Sequence, residues 1–275
     1  MSCALIRNRS TSSLLAPPLL LASLLPSLQA QLLGPRTPPP PVVIPTLQPP
    51  PPQFTYPQHE TLSFLVDWRV FTAGTAVFTL DRQGKQMNVS ATADSVGAVN
   101  MLFPVVDRFQ SGFDTTTGCS TGFSKQLQEG RRKISSELTF DYTHGKQNQV
   151  QRNLVKGTQT TQQANIPACV TDSLSAIFYA ASQPMVVGQR IGFPLADSMR
   201  TVTVYMKVEG KEEVKTPAGT FQTIRVQPTA EEGVVRNRGT IRIWYTDDPR
   251  HMPVQIQAKL FWGTITFHLQ SVELR

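Results

Sequence analysis

Apolar and polar side chains alternate with a period of two over most of the chain after residue 60. Every second side chain is apolar in residues 61–70, and the same pattern returns in residues 200–209. Successive side chains of a β-strand point to opposite faces, so this period predicts strands with one buried and one solvated face. Turn segments such as Thr216–Thr220 separate the strands. About thirteen consecutive strands follow, which predicts a mainly antiparallel β domain rather than alternating strands and helices.

Four details of the strand order are predicted as well. Ala73-Gly74 is expected to form the turn after the first strand. Residues 95–103, which directly precede Pro104, break the alternation and are expected to form a short helical or irregular crossover. Residues 147–156 and 158–166 are polar and are expected to be edge or rim strands. The alternation also predicts two separate strands in residues 200–216.

One helix interrupts the strands. Four apolar residues recur at i, i+3, i+4 and i+7, the spacing of one helix face: Leu174, Ile177, Phe178 and Ala181. Thr171 or Asp172 supplies a side-chain oxygen for the first backbone amides of this helix. Pro184 ends it. We expect the helix to plug one end of the β-sheet or to cover one face.

Residues 1–30 have the composition of a secretory signal peptide. Arg7 and Arg9 precede a short apolar stretch, Leu14–Leu25. Spanning a bilayer takes roughly 18 or more apolar residues. This stretch is shorter, so an uncleaved anchor is the weaker alternative. We therefore predict that residues 1–30 are a cleaved signal and that the mature chain has no stable transmembrane span. The chain is then exported, to the periplasmic or extracellular side of the cell envelope.

Proline dominates the residues that follow. Ten of the 22 prolines lie between Pro35 and Pro52. Proline fixes φ and lacks an amide donor, so this segment favours extended polyproline II structure. We predict that residues 31–53 form a disordered linker and that residues 54–275 form a single β domain. The alternative, a ligand for a proline-binding partner, has no support in the flanking residues.

The charge distribution argues against a nucleic-acid partner. The chain carries 26 Lys and Arg against 19 Asp and Glu, and the excess forms no basic stripe interleaved with aromatic residues. The basic residues gather instead beside predicted turns, at Arg131–Lys133 and at Arg236–Arg242. Solvation is the simplest explanation of both clusters. A weak contact with a polyanion or an anionic lipid is the functional alternative.

Two cysteines remain once the signal peptide is removed, Cys119 and Cys169. An even count in an exported chain predicts a disulfide, which would pin the start of the helix to the region around Cys119. Free thiols and a metal pair are the alternatives. Neither cysteine has a second Cys or His at ligand spacing, so a zinc site is not expected. The sequence predicts no metal and no cofactor.

No catalytic motif is present in the sequence. The four histidines are far apart, and nucleophile elbows and Gly-rich phosphate loops are absent. The strongest polar groupings are Asp107-Arg108 and the turn segment with Asp247, Asp248 and Arg250. Their carboxylates suit a general acid and base, or a cation site. The structural alternative is turn formation and ion pairing, for example Asp107 with Arg250 or Asp248 with Arg108.

Large aromatic residues, among them Trp68 and Phe71, are expected mostly in the core. Phe261 and Trp262 precede Gly263 at a predicted turn, so one of the two rings must face outward. There it would rim a ligand-binding cavity.

Four segments together resemble a known family. Their order and separation are similar to those of a bacterial exported family catalogued as domain of unknown function 3108: Leu102–Arg108, Asp172–Ala176, Thr216–Val226 and Asp247–Val254. The resemblance covers roughly residues 55 to 275. It implies a curved antiparallel sheet, roll-like or barrel-like, with one short α-helix. It transfers no catalytic residue.

Three functions are compatible with these features. The favoured one is a non-enzymatic envelope protein that binds a lipid-like amphiphile or an envelope partner within or beside its curved sheet. The second is a hydrolase acting on an envelope polymer, which requires one cleft to join Asp107 with Asp247 or Asp248. The third is a structural or assembly protein whose proline-rich linker holds the domain away from the membrane.

Overall fold

The computed structural model describes residues 45–230, 239–261 and 263–275, so the predicted signal peptide lies outside the described residues. Within these residues, fifteen strands form one curved, unclosed sheet, accompanied by two short helices. All neighbouring strands pair antiparallel except β9 and β10. The predicted fold class, a mainly β domain built on a curved antiparallel sheet, is confirmed. In the described part of the chain, no helix has the length and apolar character needed to cross a membrane.

The elements run in chain order with short connections. Their bounds are β1 His59–Trp68, β2 Phe71–Gln83, β3 Gln86–Ser95, α1 Gly97–Leu102, β4 Val106–Asp114, β5 Ser120–Glu129, β6 Arg132–Asp141, β7 Lys146–Asn153, β8 Thr158–Asn165, β9 Thr171–Asp172, α2 Ser175–Ser182, β10 Arg190–Asp197, β11 Arg200–Thr216, β12 Gly219–Ala230, β13 Thr240–Thr246, β14 Pro253–Leu260 and β15 Gly263–Leu274. In the sheet, β1 to β8 lie side by side on one flank, and β15 down to β9 lie on the other. The pairing of β1 with β15 joins the two flanks.

The predicted alternation is confirmed in the strands that build the interior. Leu62 and Phe64 of β1 are fully buried, and their neighbours Thr61 and Ser63 are not. The four alternating apolar residues of β11 are buried as well: Val202, Val204, Met206 and Val208. The two polar strands predicted at an edge are β7 and β8, and β8 is an edge strand of the sheet.

The first predicted turn is wrong. The chain reverses at Arg69-Val70, where Arg69 has a positive φ of 57°, and Ala73-Gly74 lies inside β2. A Cβ at Gly74 would lie 2.5 Å from the carbonyl oxygen of Asp94. The glycine therefore permits close pairing with β3 instead of marking a turn.

Two other segments differ in detail from their predictions. Residues 200–216, predicted as two strands, form the single strand β11, because a register shift between Val208 and Gly210 absorbs the break in alternation. The segment predicted as a helical or irregular crossover before Pro104 contains α1.

Helix α2 fills the interior between the two flanks of the sheet. Phe178 packs edge-on against Phe78 of β2, with ring centroids 6.3 Å apart. Tyr179 packs against Phe193 of β10 at 5.1 Å. Because neighbouring residues of one helix contact both flanks, α2 is buried on nearly all sides. It is the predicted plug.

The end of the proline-rich segment lies against this helix. The side chain of Leu47 is buried in the same apolar cluster as Tyr179. The backbone amide of Gln48 donates to the Tyr179 hydroxyl at 2.9 Å, and the Gln183 side-chain amide donates to the Gln48 carbonyl at 3.3 Å. The domain therefore includes contacts made by residues before position 54.

A buried carboxylate fastens α2 to the sheet. Asp172 is 1% exposed. One carboxylate oxygen accepts the amides of Leu174 and Ser175 at 2.8 and 3.0 Å, which confirms the predicted helix cap. The other oxygen accepts the hydroxyls of Ser111 and Ser120 at 2.5 and 2.6 Å. Because these serines belong to β4 and β5, one side chain ties the helix to the opposite flank of the sheet.

A disulfide lies beside this network. Cys119 and Cys169 are bonded, as predicted, with their Cα atoms 5.2 Å apart. The adjacent amide of Ser120 donates to the carbonyl of Val170 at 2.8 Å. The covalent bond and the hydrogen bond join the segment before β9 to the start of β5.

Replacing Asp172 with alanine is expected to lower the free energy of unfolding by at least about 3 kcal/mol, because two buried amides and two hydroxyls lose their acceptor. The milder Ser120→Ala, which removes one donor, should cost about 1.5 kcal/mol. Urea unfolding measures both. The control is Glu137→Ala, because the Glu137 side chain is exposed. A surface substitution of this kind should change the free energy of unfolding by less than about 0.5 kcal/mol. Equal effects of Asp172→Ala and the control would contradict this role.

Replacing Cys119 and Cys169 together with serine is expected to lower the free energy of unfolding by roughly 4 kcal/mol in the chain-entropy picture. The reason is that the bond closes a loop over a sequence separation of 50. Reductant should destabilise the parent by a similar amount and leave the double variant unchanged. A parent whose unfolding curve does not respond to reductant would show that the bond contributes nothing.

Candidate functional site

Exposed apolar side chains gather on a row of turns. Ten large hydrophobic residues are exposed there, and we call them the apolar rim: Trp68, Val70, Phe71, Met101, Leu102, Phe103, Val106, Leu154, Val155 and Phe261. They lie at the β1–β2 turn, the crossover from β3 to β4 through α1, the β7–β8 turn and the β14–β15 turn. Elsewhere in the described part of the chain, the exposed large hydrophobic residues are Val186, Val187 and Leu274.

Backbone contacts join several of these turns in space. The amide of Arg69 in the β1–β2 turn donates to Thr264 at the start of β15, at 2.8 Å. The indole of Trp68 lies directly over Gly263, where a Cβ would come within 2.7 Å of the ring nitrogen. The amide of Val96, just before α1, donates to the Ala73 carbonyl of β2 at 2.9 Å. These contacts bring the tips of β14, β15, β1, β2 and β3 together.

The row of turns that carries the apolar rim continues to β8, the last strand on this flank of the sheet. The Gly130 amide in the β5–β6 turn donates to the Pro104 carbonyl at 2.7 Å, and the Phe103 ring covers Gly130. The Leu154 amide donates to the Lys133 carbonyl at 2.9 Å, which places the β7–β8 turn beside β6. The rim therefore follows the strand ends on one side of the sheet, across ten adjacent strands from β14 to β8. We call this row of strand ends the rim edge. At roughly 4.8 Å per strand this edge is about 43 Å long, measured along the curve.

The rim arises because the apolar alternation of some strands continues past the packed interior. Leu62 and Phe64 of β1 contact the core, whereas Trp68 and Val70, which continue the same alternation, are 38% and 84% exposed. The Phe261 side chain is fully exposed. An outward-facing ring at this turn agrees with the prediction for the Phe261-Trp262 pair, and Trp262 itself lies outside the described residues.

Positive charge accompanies the rim. Each partly exposed acidic side chain along this edge contacts a basic side chain: Asp94 contacts Arg108 at 2.8 Å, Glu129 contacts Arg132 at 2.6 Å and Asp67 contacts the His268 ring at 3.6 Å. Along the same edge, four exposed basic residues form no ion pair with any residue that the structure describes: Arg131, Lys133, Lys156 and Lys259. One of the predicted basic clusters, Arg131–Lys133, thus belongs to this edge.

The other predicted basic cluster is described only in part. Arg236 and Arg238 lie outside the described residues. Arg242 of β13 donates to the Glu209 carboxylate at 2.8 Å, and Arg225 donates to the same carboxylate at 2.8 Å. Arg242 therefore belongs to an ion-pair network on the sheet.

Asp107, the first predicted acid, lies near the rim at the start of β4. It is 8% exposed, and its carboxylate accepts the Gln128 amide at 3.0 Å. Burial raises the pKa of the Asp107 carboxyl to about 6, and the Gln128 hydrogen bond offsets part of that rise. The adjacent Arg108 forms its ion pair with Asp94 across the β3–β4 pair. Asp107 is therefore a buried carboxyl engaged by a backbone donor.

The second predicted group lies at the β13–β14 turn, on the edge opposite the rim according to the strand register. The Lys211 ammonium pairs with Asp247 at 2.6 Å. Asp248 accepts the Arg250 amide at 2.9 Å and faces the Arg250 guanidinium at 3.6 Å. The structure does not form the cross-pairs suggested from sequence. Because Asp107 lies at the other edge, no cleft joins these carboxylates, and the geometry required by the hydrolase alternative is missing.

One buried acid was not singled out from the sequence. Glu60 is the second residue of β1, lies on the same face as Leu62 and is 6% exposed. Burial raises the pKa of its carboxyl, and attraction to Arg250 opposes the rise. Its position in the alternation, two residues before Leu62, was the signal that could have found it.

The interior is filled rather than hollow. Apolar side chains from both flanks and from α2 pack into two large clusters. An open depression of about 490 Å³ lies over β2 to β6 and is lined largely by polar side chains, among them Asn88, Gln110 and Glu137. Within the described ranges, no three His, Cys, Asp or Glu side chains gather closely enough to hold a metal ion.

Comparison with known proteins identifies a family and a fold. The family model described as protein of unknown function DUF3108 matches residues 63–270. No curated protein matches the sequence. The crystal structure of a β-barrel-like protein of the domain of unknown function DUF1849 from Brucella abortus has a TM-score of 0.52 at 9% identity, covering 80% of this chain and 99% of that chain. That likeness concerns the fold alone.

A second solved structure covers the same share of both chains. A protein with a YmcC-like fold from Bacteroides fragilis is 11% identical, with a TM-score of 0.36, over 80% of this chain and 99% of that chain. At this TM-score the likeness carries no argument about this chain.

Substituting Asp107 with asparagine should alter the pH dependence of stability. A carboxyl whose pKa is raised on folding costs stability when it ionises, so its contribution is most favourable below pH 4 and is lost as the pH rises through about 6. Asparagine keeps the acceptor for the Gln128 amide and cannot ionise. Asp107→Asn should therefore be more stable than the parent by about 2 kcal/mol at pH 7, and the difference should shrink towards pH 4. Thermal unfolding across this range measures it, and a difference that does not change with pH would contradict the assignment.

Proposed function

This chain belongs to the DUF3108 family, and we propose that it is an exported, non-enzymatic binding module of the cell envelope that engages its partner through the apolar rim. Two features support export. Residues 1–30 have the charge and length pattern of a signal peptide. The Cys119–Cys169 disulfide suits an oxidising compartment.

The observation that carries the proposal is the concentration of exposed apolar side chains on one edge. Single exposed hydrophobic residues are ordinary in soluble proteins, whereas a large contiguous set indicates an interaction surface. Ten such residues lie on neighbouring turns, and three are scattered elsewhere in the described residues. Met101, Leu102 and Phe261 are at least 86% exposed. Association that removes these side chains from water would be favourable.

The packed interior favours a partner at the edge over an amphiphile held inside the sheet. The α2 side chains Phe178 and Tyr179 occupy the space between the two flanks. A ligand inside the sheet would have to displace them. The envelope-partner version of the binding hypothesis therefore has the stronger support.

The rim can be tested by envelope fractionation of bacterial cells that export the chain. Phe71→Ser combined with Phe261→Ser should lower the ratio of envelope-bound to soluble protein at least tenfold, because full burial of each phenylalanine side chain contributes about 1.5–3 kcal/mol. The matched control, Val186→Ser with Val187→Ser, removes two exposed apolar side chains away from the rim and should behave as the parent. Thermal unfolding confirms that both variants are folded. Identical fractionation of the rim variant and the control would refute the proposal.

A further inference from the structure

We infer that the partner of the apolar rim is the surface of a lipid bilayer that carries anionic headgroups, an inference that rests on the proposed function. In this arrangement the tips of the rim enter the interfacial region, and the neighbouring cations contact the headgroups. Two independent properties of the rim, its shape and its charge, support a bilayer as the occupant.

The shape of the rim suits a deformable surface. The exposed side chains stand on several neighbouring turns along a curved line of strand ends and not on a single element. Phe261 projects alone at the β14–β15 turn, and Met101 with Leu102 projects at the end of α1. A protein partner would need a separate pocket for each tip along a curved edge of about 43 Å. A bilayer accommodates all the tips at once, because lipid chains rearrange around inserted apolar groups.

The composition of the rim also matches a membrane interface. The guanidinium of Arg69 lies 5.7 Å from the centre of the Trp68 ring. Tryptophan is enriched where hydrocarbon meets headgroups, and arginine keeps its charge in the polar layer while its stem lies along apolar surface. This pair at the β1–β2 turn thus places an apolar ring and a cation side by side, so both would lie at the same depth in the membrane interface.

Charge complementarity identifies the headgroups as anionic. Along this edge, Asp94 and Glu129 pair with arginines of the domain itself and Asp67 faces His268, whereas four exposed basic residues of the same edge form no ion pair with a described residue: Arg131, Lys133, Lys156 and Lys259. Lys156 follows Val155 directly in the chain. A basic residue near an anionic membrane strengthens association by about fivefold. A second copy docked rim to rim would instead bring these like charges together.

Vesicle co-sedimentation of the exported, purified chain tests the inference. Binding to vesicles of phosphatidylcholine with phosphatidylglycerol should exceed binding to phosphatidylcholine alone and should weaken as salt is added. Lys133, Lys156 and Lys259 changed together to glutamine should lower the affinity for the anionic vesicles by about fivefold per lysine. The matched control changes three exposed lysines away from the rim, Lys85, Lys207 and Lys215, to glutamine and should bind as the parent. Equal losses in the two triple variants would overturn the inference, because net charge alone would then explain binding.

A second pair of variants tests insertion. Phe71→Ser with Phe261→Ser should lower the affinity for both kinds of vesicle at least tenfold, whereas Val186→Ser with Val187→Ser should not. If the parent binds neither vesicle while envelope retention in cells still depends on the rim, the bilayer inference fails and the proposed function stands. A parent that sediments as a dimer at equilibrium, when the rim variant does not, would assign the rim to a second copy and also overturn the inference.

Discussion

The fold depends on one buried acidic side chain, that of Asp172. A polar group so deeply buried is costly unless hydrogen bonds replace its hydration. Four donors do so, two backbone amides from the start of α2 and the hydroxyls of Ser111 and Ser120. Asp172 belongs to β9 on one flank, and its donors come from the start of α2 and from β4 and β5 on the other flank. The carboxylate is therefore satisfied only when the helix and the two flanks are in place together.

The position of α2 explains why the exposed apolar side chains lie along the strand ends and not inside the sheet. With α2 held inside the curve, its aromatic side chains occupy the space that a hollow barrel would offer to a ligand. The strands are nevertheless apolar beyond the region that α2 and the opposite flank can cover. Their tips, from Phe261 through Trp68 to Leu154, therefore remain in solvent. The same interaction that fills the interior leaves the rim as the apolar surface available to a partner.

The sequence predicts local features well and the meeting of distant segments poorly. Period-two alternation, the helix with its Asp172 cap and the Cys119–Cys169 bond all follow from spacing or parity. Alternation assigns a face to each side chain, but it does not show how far along the strand that face is covered by α2 and the opposite flank. For this reason it placed Trp68 with the core residues. Asp107 and Asp248 look alike in sequence, as acids close to arginines, yet strand direction puts them at opposite edges. The serine partners of Asp172 lie 61 and 52 positions before it in the chain, and nothing in their local sequence indicates the contact.

Native-state hydrogen exchange shows whether the Asp172 network holds the two flanks together. The amides of Leu174 and Ser175 donate to this carboxylate, so they should become free to exchange only when the whole domain unfolds. Their opening free energy is expected to equal the free energy of global unfolding from urea denaturation. The amides of the edge strand β8 should exchange by smaller, local openings. If the amides of Leu174 and Ser175 exchange as readily as those of β8, the helix is not fastened in this way and the role assigned to Asp172 is wrong.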